Sequence, residues 1–148
     1  MLAHSVFDNR RCLHHWKARR ALSMDRAALI DSLILCKFLR GVFTDPYAEW
    51  AGLLSGVTGW DVTADELRAT ARRIVLAKRV YNIREGWRPD DDWLPARLLS
   101  EPLTLASGRE ARLTPARLRA MIDGYYKERG LDPVGRPAAG TADDLGLA

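Results

Sequence analysis

Cys36 is the residue in this chain best suited to bind a soft metal or to act as a nucleophile. It is a free thiol within an apolar run, with Asp31 five residues before it and Lys37 directly after it. It also reads as a small buried hydrophobe, a common role for an unpaired cysteine. The pair His14-His15, next to Trp16, offers imidazoles, but adjacent histidines point to different faces and no third ligand follows at zinc-type spacing. Asp90-Asp91-Asp92 lacks the alternating ligands, glycine turn and distal glutamate of a calcium loop, and reads as a solvated loop or helix cap. The arginines from Arg68 to Arg88 could meet phosphates, but they are spread round an amphipathic stretch and interleaved with Glu66 and Glu85, the pattern of a solvated face. A phosphate-binding glycine loop, an HExxH pair and a placeable Ser/His/Asp set are all missing from the sequence.

The elements that must position Cys36 are helical. From Arg26 to Phe43 apolar residues cover most of a helical wheel, which predicts one helix buried nearly all round. Asp45 then caps a second helix with Pro46 at its first position, and Tyr47, Trp50, Ala51 and Leu54 share a face before Gly56 and Gly59 end it. Thr63 and Glu66 form a capping box opening a long helix, whose inner stripe is Leu67, Ala71, Ile74, Ala77 or Lys78, and Tyr81, closing at Gly86. A short helix runs from Leu94-Pro95 to Leu99, and Leu103–Leu105 and Ala111–Leu113 can pair as a minimal hairpin around Ser107-Gly108. Thr114-Pro115 opens a last helix with Leu118, Met121, Ile122 and Tyr125 on one face, stopped by Gly130. An extended tail follows, in which Leu145-Gly146-Leu147 can dock. The expected class is all-α, a compact multi-helix domain with at most one short hairpin, after an irregular or frayed leader over residues 1–25.

Size and charge set outer limits. A chain of 148 residues with 47% hydrophobic and 28% charged side chains is a single soluble domain. At this size folding buries roughly two thirds of the extended chain's surface, so a core forms without disulfides. The net charge of +4 is compatible with nucleic acid and does not argue for it. Two cysteines, Cys12 and Cys36, make no disulfide scaffold and suit a reduced cytoplasmic setting. The apolar run around Ala27 to Phe43 is broken by Asp31, Lys37 and Arg40, too short and too charged to span a membrane.

A series of motifs goes further. Asp31-Ser32-Leu33-Ile34-Leu35-Cys36-Lys37-Phe38 resembles the DxxGLCxF segment of the C-terminal domain of tungsten-pterin aldehyde ferredoxin oxidoreductases. In order follow Thr58-Gly59-Trp60-Asp61, similar to TGWD, and Arg73-Ile74 with Arg79 to Gly86, similar to RI and RxFNxREG. Asp91 to Pro95, Arg97-Leu98-Leu99, Glu101-Pro102, Tyr125-Tyr126, Arg129-Gly130, Asp132, Gly135, Pro137 and Leu145-Gly146-Leu147 continue the series. The resemblance makes residues 26–148 an aldehyde ferredoxin oxidoreductase-like C-terminal helical domain.

That resemblance implies oxidation of aldehydes to carboxylates by a tungsten-bis-pterin beside a 4Fe-4S cluster, with electrons passed to ferredoxin. Cys36 aligns with the fourth cluster ligand, Asp31 with an aspartate that hydrogen-bonds a pterin, and Leu35 with the turn whose backbone meets the cofactor. A soft thiolate suits iron, and a carboxylate can accept paired donors from a pterin edge. The other three cluster cysteines of the family lie upstream in a CxxCxxxC segment, so this chain is expected to be inactive alone: a split part whose partner is the remaining domains as a separate chain, a truncated product that has lost them, or a domain retained for packing. On an unbroken helix Asp31 and Cys36 would stand about 140° apart, and they converge only if the chain bends. The family's glycine at the bend is Ile34 here, and a β-branched residue resists positive φ. Either the turn is made differently or the helix continues and the pterin contact is lost. The alternative function is a non-catalytic basic helical module for an acidic protein or nucleic acid.

Overall fold

The computed structural model describes residues 23–146, so the readings at Cys12 and at His14-His15-Trp16 lie outside the described residues. The described chain is mostly helical with one minimal hairpin, as its periodicity predicts. Residues 23–32 form α1, followed by α2 (Pro46–Thr58), α3 (Ala64–Arg84), α4 (Ala96–Ser100), β1 (Leu103–Thr104), β2 (Glu110–Ala111), α5 (Pro115–Arg129) and α6 (Thr141–Asp144). Single 3-10 turns lie at Lys37–Gly41 and Pro89–Asp92. Two compact units result, one of residues 23–79 with 140–146 and one of residues 80–139.

The first unit has its core where α1, α2 and α3 meet. Leu29 and Ile30 of α1 pack with Tyr47, Trp50 and Ala51 of α2 and with Leu67 and Ala71 of α3. Trp50 is 1% exposed and packs edge-to-face with Phe43 and Tyr47, ring centres 5.9 Å apart in each pair, a geometry that suits the ring quadrupole. The predicted caps hold: the Asp45 carboxylate accepts from the Ala48 amide, and Pro46 opens α2. Gly59, at φ 73°, closes that helix, whereas Gly56 lies inside it rather than ending it. The capping box of α3 forms as read. The Thr63 amide donates to Glu66 Oε2 at 2.7 Å, and the Glu66 amide donates to Thr63 Oγ1 at 3.2 Å.

The expected helix over 26–43 is corrected. It ends at residue 32, and of its apolar residues Ile34, Phe38, Leu39 and Val42 are exposed instead of buried. Periodicity marks which residues are apolar, not whether this chain supplies their cover. The tail is also not fully extended: α6 forms there, and Arg73 Nη2 donates to the Leu145 carbonyl at 3.0 Å.

The second unit buries Val80, Leu99, Leu118 and Tyr126. Tyr81 and Tyr125, assigned to inner stripes by spacing, are exposed and half-buried, and their neighbours Val80 and Tyr126 take the buried positions. Polarity explains the second exchange. Tyr126 can enter the core because its hydroxyl donates to Asp92 Oδ2 at 2.6 Å, while Trp87 Nε1 donates to Asp92 Oδ1 at 3.2 Å. The hairpin pairs Leu103 with Ala111 and Thr104 with Glu110. Among the described residues no helix is long and apolar enough to cross a membrane.

Candidate functional site

The turn that carries Cys36 is built by the end of α1. The Ile34 amide donates to the Asp31 carbonyl at 3.3 Å, and the Leu35 amide reaches back five residues to the Ile30 carbonyl at 2.9 Å. Together these are a Schellman closure, in which the residue after the helix must turn left-handed. Ile34 does so, at φ 57°, as the one non-glycine with positive φ among the described residues. The helix therefore does not continue through Asp31–Cys36: the chain bends there with an isoleucine in the left-handed position. The same closure recurs where Trp87 donates to Asn82 past Gly86, and where Leu131 donates to Tyr126 past Gly130. There glycine occupies the left-handed position at φ 93° and 68°.

The closure decides where the three predicted site residues go. Leu35 turns inward and packs against the core that holds Ile30, which anchors the turn. Cys36 follows in extended backbone at φ −65° and ψ 127°, starts the 3-10 turn, and is a free, exposed thiol. Asp31 is exposed at the last turn of α1, and Lys37 Nζ lies 3.2 Å from its Oδ1. Sequence reasoning missed that ion pair, because a separation of six is not a helical neighbour spacing and the pair arises only after the bend.

The donor set fits one corner of a metal cluster and no more. Cys36 offers a single accessible soft ligand, and among the described residues no three His, Cys, Asp or Glu side chains come together to hold a metal ion. The Asp31 carboxylate is accessible to a donor that displaces Lys37. The Ile34 side chain, 92% exposed, stands between them in sequence.

The arginines of α3 are largely engaged within the molecule. Arg68 lies 2.7 Å from Asp65 and 3.9 Å from Asp45, with its guanidinium 4.9 Å from the Tyr47 ring centre, and Arg73 holds the Leu145 carbonyl. Many residues of the motif series likewise hold the scaffold. Asp92 binds Trp87 and Tyr126, and the Asp132 carboxylate accepts from the amides of Val134 and Arg136.

A family model for "Aldehyde ferredoxin oxidoreductase, domains 2 & 3" matches residues 8–147. The chain belongs to the aldehyde ferredoxin oxidoreductase family. It is 36% identical over 129 residues to the tungsten-containing aldehyde ferredoxin oxidoreductase of Pyrococcus furiosus, a match covering 86% of this chain and 20% of that protein. The tungsten-containing aldehyde ferredoxin oxidoreductase of Thermococcus kodakarensis is 34% identical over 129 residues, with the same coverage of 86% and 20%. Among solved structures, the active-site complex BamBC of benzoyl coenzyme A reductase with 1,5-dienoyl-CoA is similar, with a TM-score of 0.51 and 28% identity. That likeness covers 68% of this chain and 14% of the compared one. The chain thus spans about one fifth of the length of the curated aldehyde ferredoxin oxidoreductases it matches.

Proposed function

We propose that this chain is a C-terminal part of an aldehyde ferredoxin oxidoreductase-like enzyme, supplying Cys36 as one thiolate ligand of a 4Fe-4S cluster and the Asp31–Leu35 turn as part of a tungstopterin pocket. The observation that carries the reading is the left-handed closure at Ile34, which bends the chain between Asp31 and Cys36 and leaves the Cys36 thiol exposed. Membership of a family with tungsten-containing relatives supports it.

Each residue has a defined task. Cys36 binds iron through sulfur, and its position in extended backbone outside α1 leaves room for other ligands to approach. Asp31 accepts hydrogen bonds from a pterin's amino-pyrimidine edge, exchanging the exposed Lys37 ammonium for neutral donors. Leu35 fixes the turn to the core, so the donors on either side keep their orientation. A tungsten-pterin held at the Asp31–Leu35 turn would supply two-electron oxidation chemistry, and an iron-sulfur cluster held in part by Cys36 would supply one-electron transfer. In this reading three further thiolates come from the family's other domains, and the chain alone is not catalytic.

Metal analysis tests the proposal. The purified chain alone should hold no four-iron cluster, whereas the chain co-expressed with the cysteine-bearing remainder of the fold should yield a complex with iron and tungsten. A complex free of both metals would overturn it.

A further inference from the structure

We propose that two copies of this chain pair edge to edge along β2, with Glu110 of each facing Arg112 of the other, an inference independent of the cofactor reading. The hairpin closes at Leu105, whose carbonyl accepts from the Gly108 amide at 2.9 Å and whose amide donates to the Arg109 carbonyl at 2.8 Å. Gly108 holds the left-handed position at φ 74° that such a three-residue loop requires. Hydrogen-bonded and non-bonded pairs alternate along an antiparallel ladder. Leu105 with Arg109 and Leu103 with Ala111 are therefore bonded pairs, and Thr104 with Glu110 is not. The N–H and C=O of Glu110 consequently point away from β1. So does the N–H of Arg112, which lies trans, across its peptide, to the inward Ala111 carbonyl.

That outer edge is open. The described sheet has two strands, both exposed along their whole length, and a two-stranded hairpin by itself is at best marginal in water. Charged side chains on an edge ordinarily block further pairing. Here two opposite charges stand two residues apart on one face, and neither Glu110 nor Arg112 makes an ion pair among the described residues. A second β2 running antiparallel can meet this edge about a two-fold axis at residue 110, 111 or 112. An axis at Glu110 or at Arg112 sets like charges directly opposite, which destabilises a pair. An axis at Ala111 sets Glu110 opposite Arg112 of the second copy, and by symmetry does so twice. The same register pairs the outward Arg112 N–H with the outward Glu110 C=O of the other chain, so the backbone and the charges select one arrangement. An edge that alternates in sign is complementary to its own antiparallel copy and not to a strand of uniform charge, which identifies the occupant as a second copy. The product is a four-stranded sheet in the order β1, β2, β2, β1.

Sedimentation equilibrium of the full chain tests the pairing. The contact is far smaller than the roughly 1,200 Å² of stable complexes, so wild type should dimerise weakly, with a Kd of about 0.01–1 mM. Glu110→Arg and Arg112→Glu should each weaken the dimer about ten-fold or more, because each places like charges opposite at both pairs. An equimolar mixture of the two variants should associate as wild type does, since every 110 and 112 side chain then meets its opposite. Both positions are exposed, so unfolding midpoints of the variants should match wild type, which separates lost pairing from lost folding. A wild type that stays monomeric at about 1 mM, single variants that dimerise with wild-type affinity, or a mixture that fails to associate would each overturn the proposal.

Discussion

Lys37 Nζ lies 3.2 Å from Asp31 Oδ1, an ion pair that closes across the left-handed residue ending α1. It binds together the two charged groups flanking the proposed cofactor turn, but both side chains are more than half exposed. Solvent screening therefore leaves it little to contribute to stability.

Lys37→Met should accordingly change folding stability by less than about 0.5 kcal/mol in a urea titration. In a cofactor-loaded complex the same variant should leave Asp31 more readily available to a pterin donor. A loss of several kcal/mol in the isolated chain would give the pair a structural role instead.

Two residues of one apolar run should respond very differently to truncation. Leu29 is 1% exposed in the core and Ile34 is 92% exposed. Leu29→Ala should cost about 2–5 kcal/mol by lost burial and a residual cavity. Ile34→Ala should stay within about 0.5 kcal/mol. Denaturant unfolding of the two variants checks the contrast.

The capping box of α3 predicts a pH signature. The backbone N–H of Thr63, and then its hydroxyl, hold the Glu66 carboxyl below the usual carboxylate range. A carboxyl whose pKa is depressed on folding adds stability above its unfolded pKa and loses it as pH falls through the folded value. Glu66→Gln should therefore destabilise the chain at neutral pH, and the difference from wild type should shrink as pH drops below the ordinary glutamate range. Thermal melts across that window read it directly.

Asp92 ties the second unit together by accepting from Trp87 and from the buried Tyr126 hydroxyl. Tyr126→Phe should cost about 1–2 kcal/mol, because it strips a hydrogen bond from a carboxylate while keeping the ring. Asp92→Ala should cost more, because it removes both hydrogen bonds that the carboxylate accepts, from Tyr126 and from Trp87. Equal and negligible effects would contradict the network.

The local signals in the sequence were sound wherever one residue type has one physical use. Asp45-Pro46, the Thr63 and Glu66 box, Thr114-Pro115 and Gly130 all act as read, because caps and left-handed stops depend on their own backbone groups. What the sequence withheld depends on partners distant in the chain. The choice of Tyr126 over Tyr125 rests on Asp92, and the exposure of Phe38 and Val42 rests on what this chain does not place over them. Ile34 is different: its own preference resists positive φ, but two backbone hydrogen bonds and the packing of Leu35 against the core fix the turn around it.

Iron content of the assembled complex under Cys36→Ser tests most directly whether Cys36 is a cluster ligand. Iron should fall sharply in that variant while a Cys12→Ser control keeps it. Unchanged iron in Cys36→Ser would contradict the assignment.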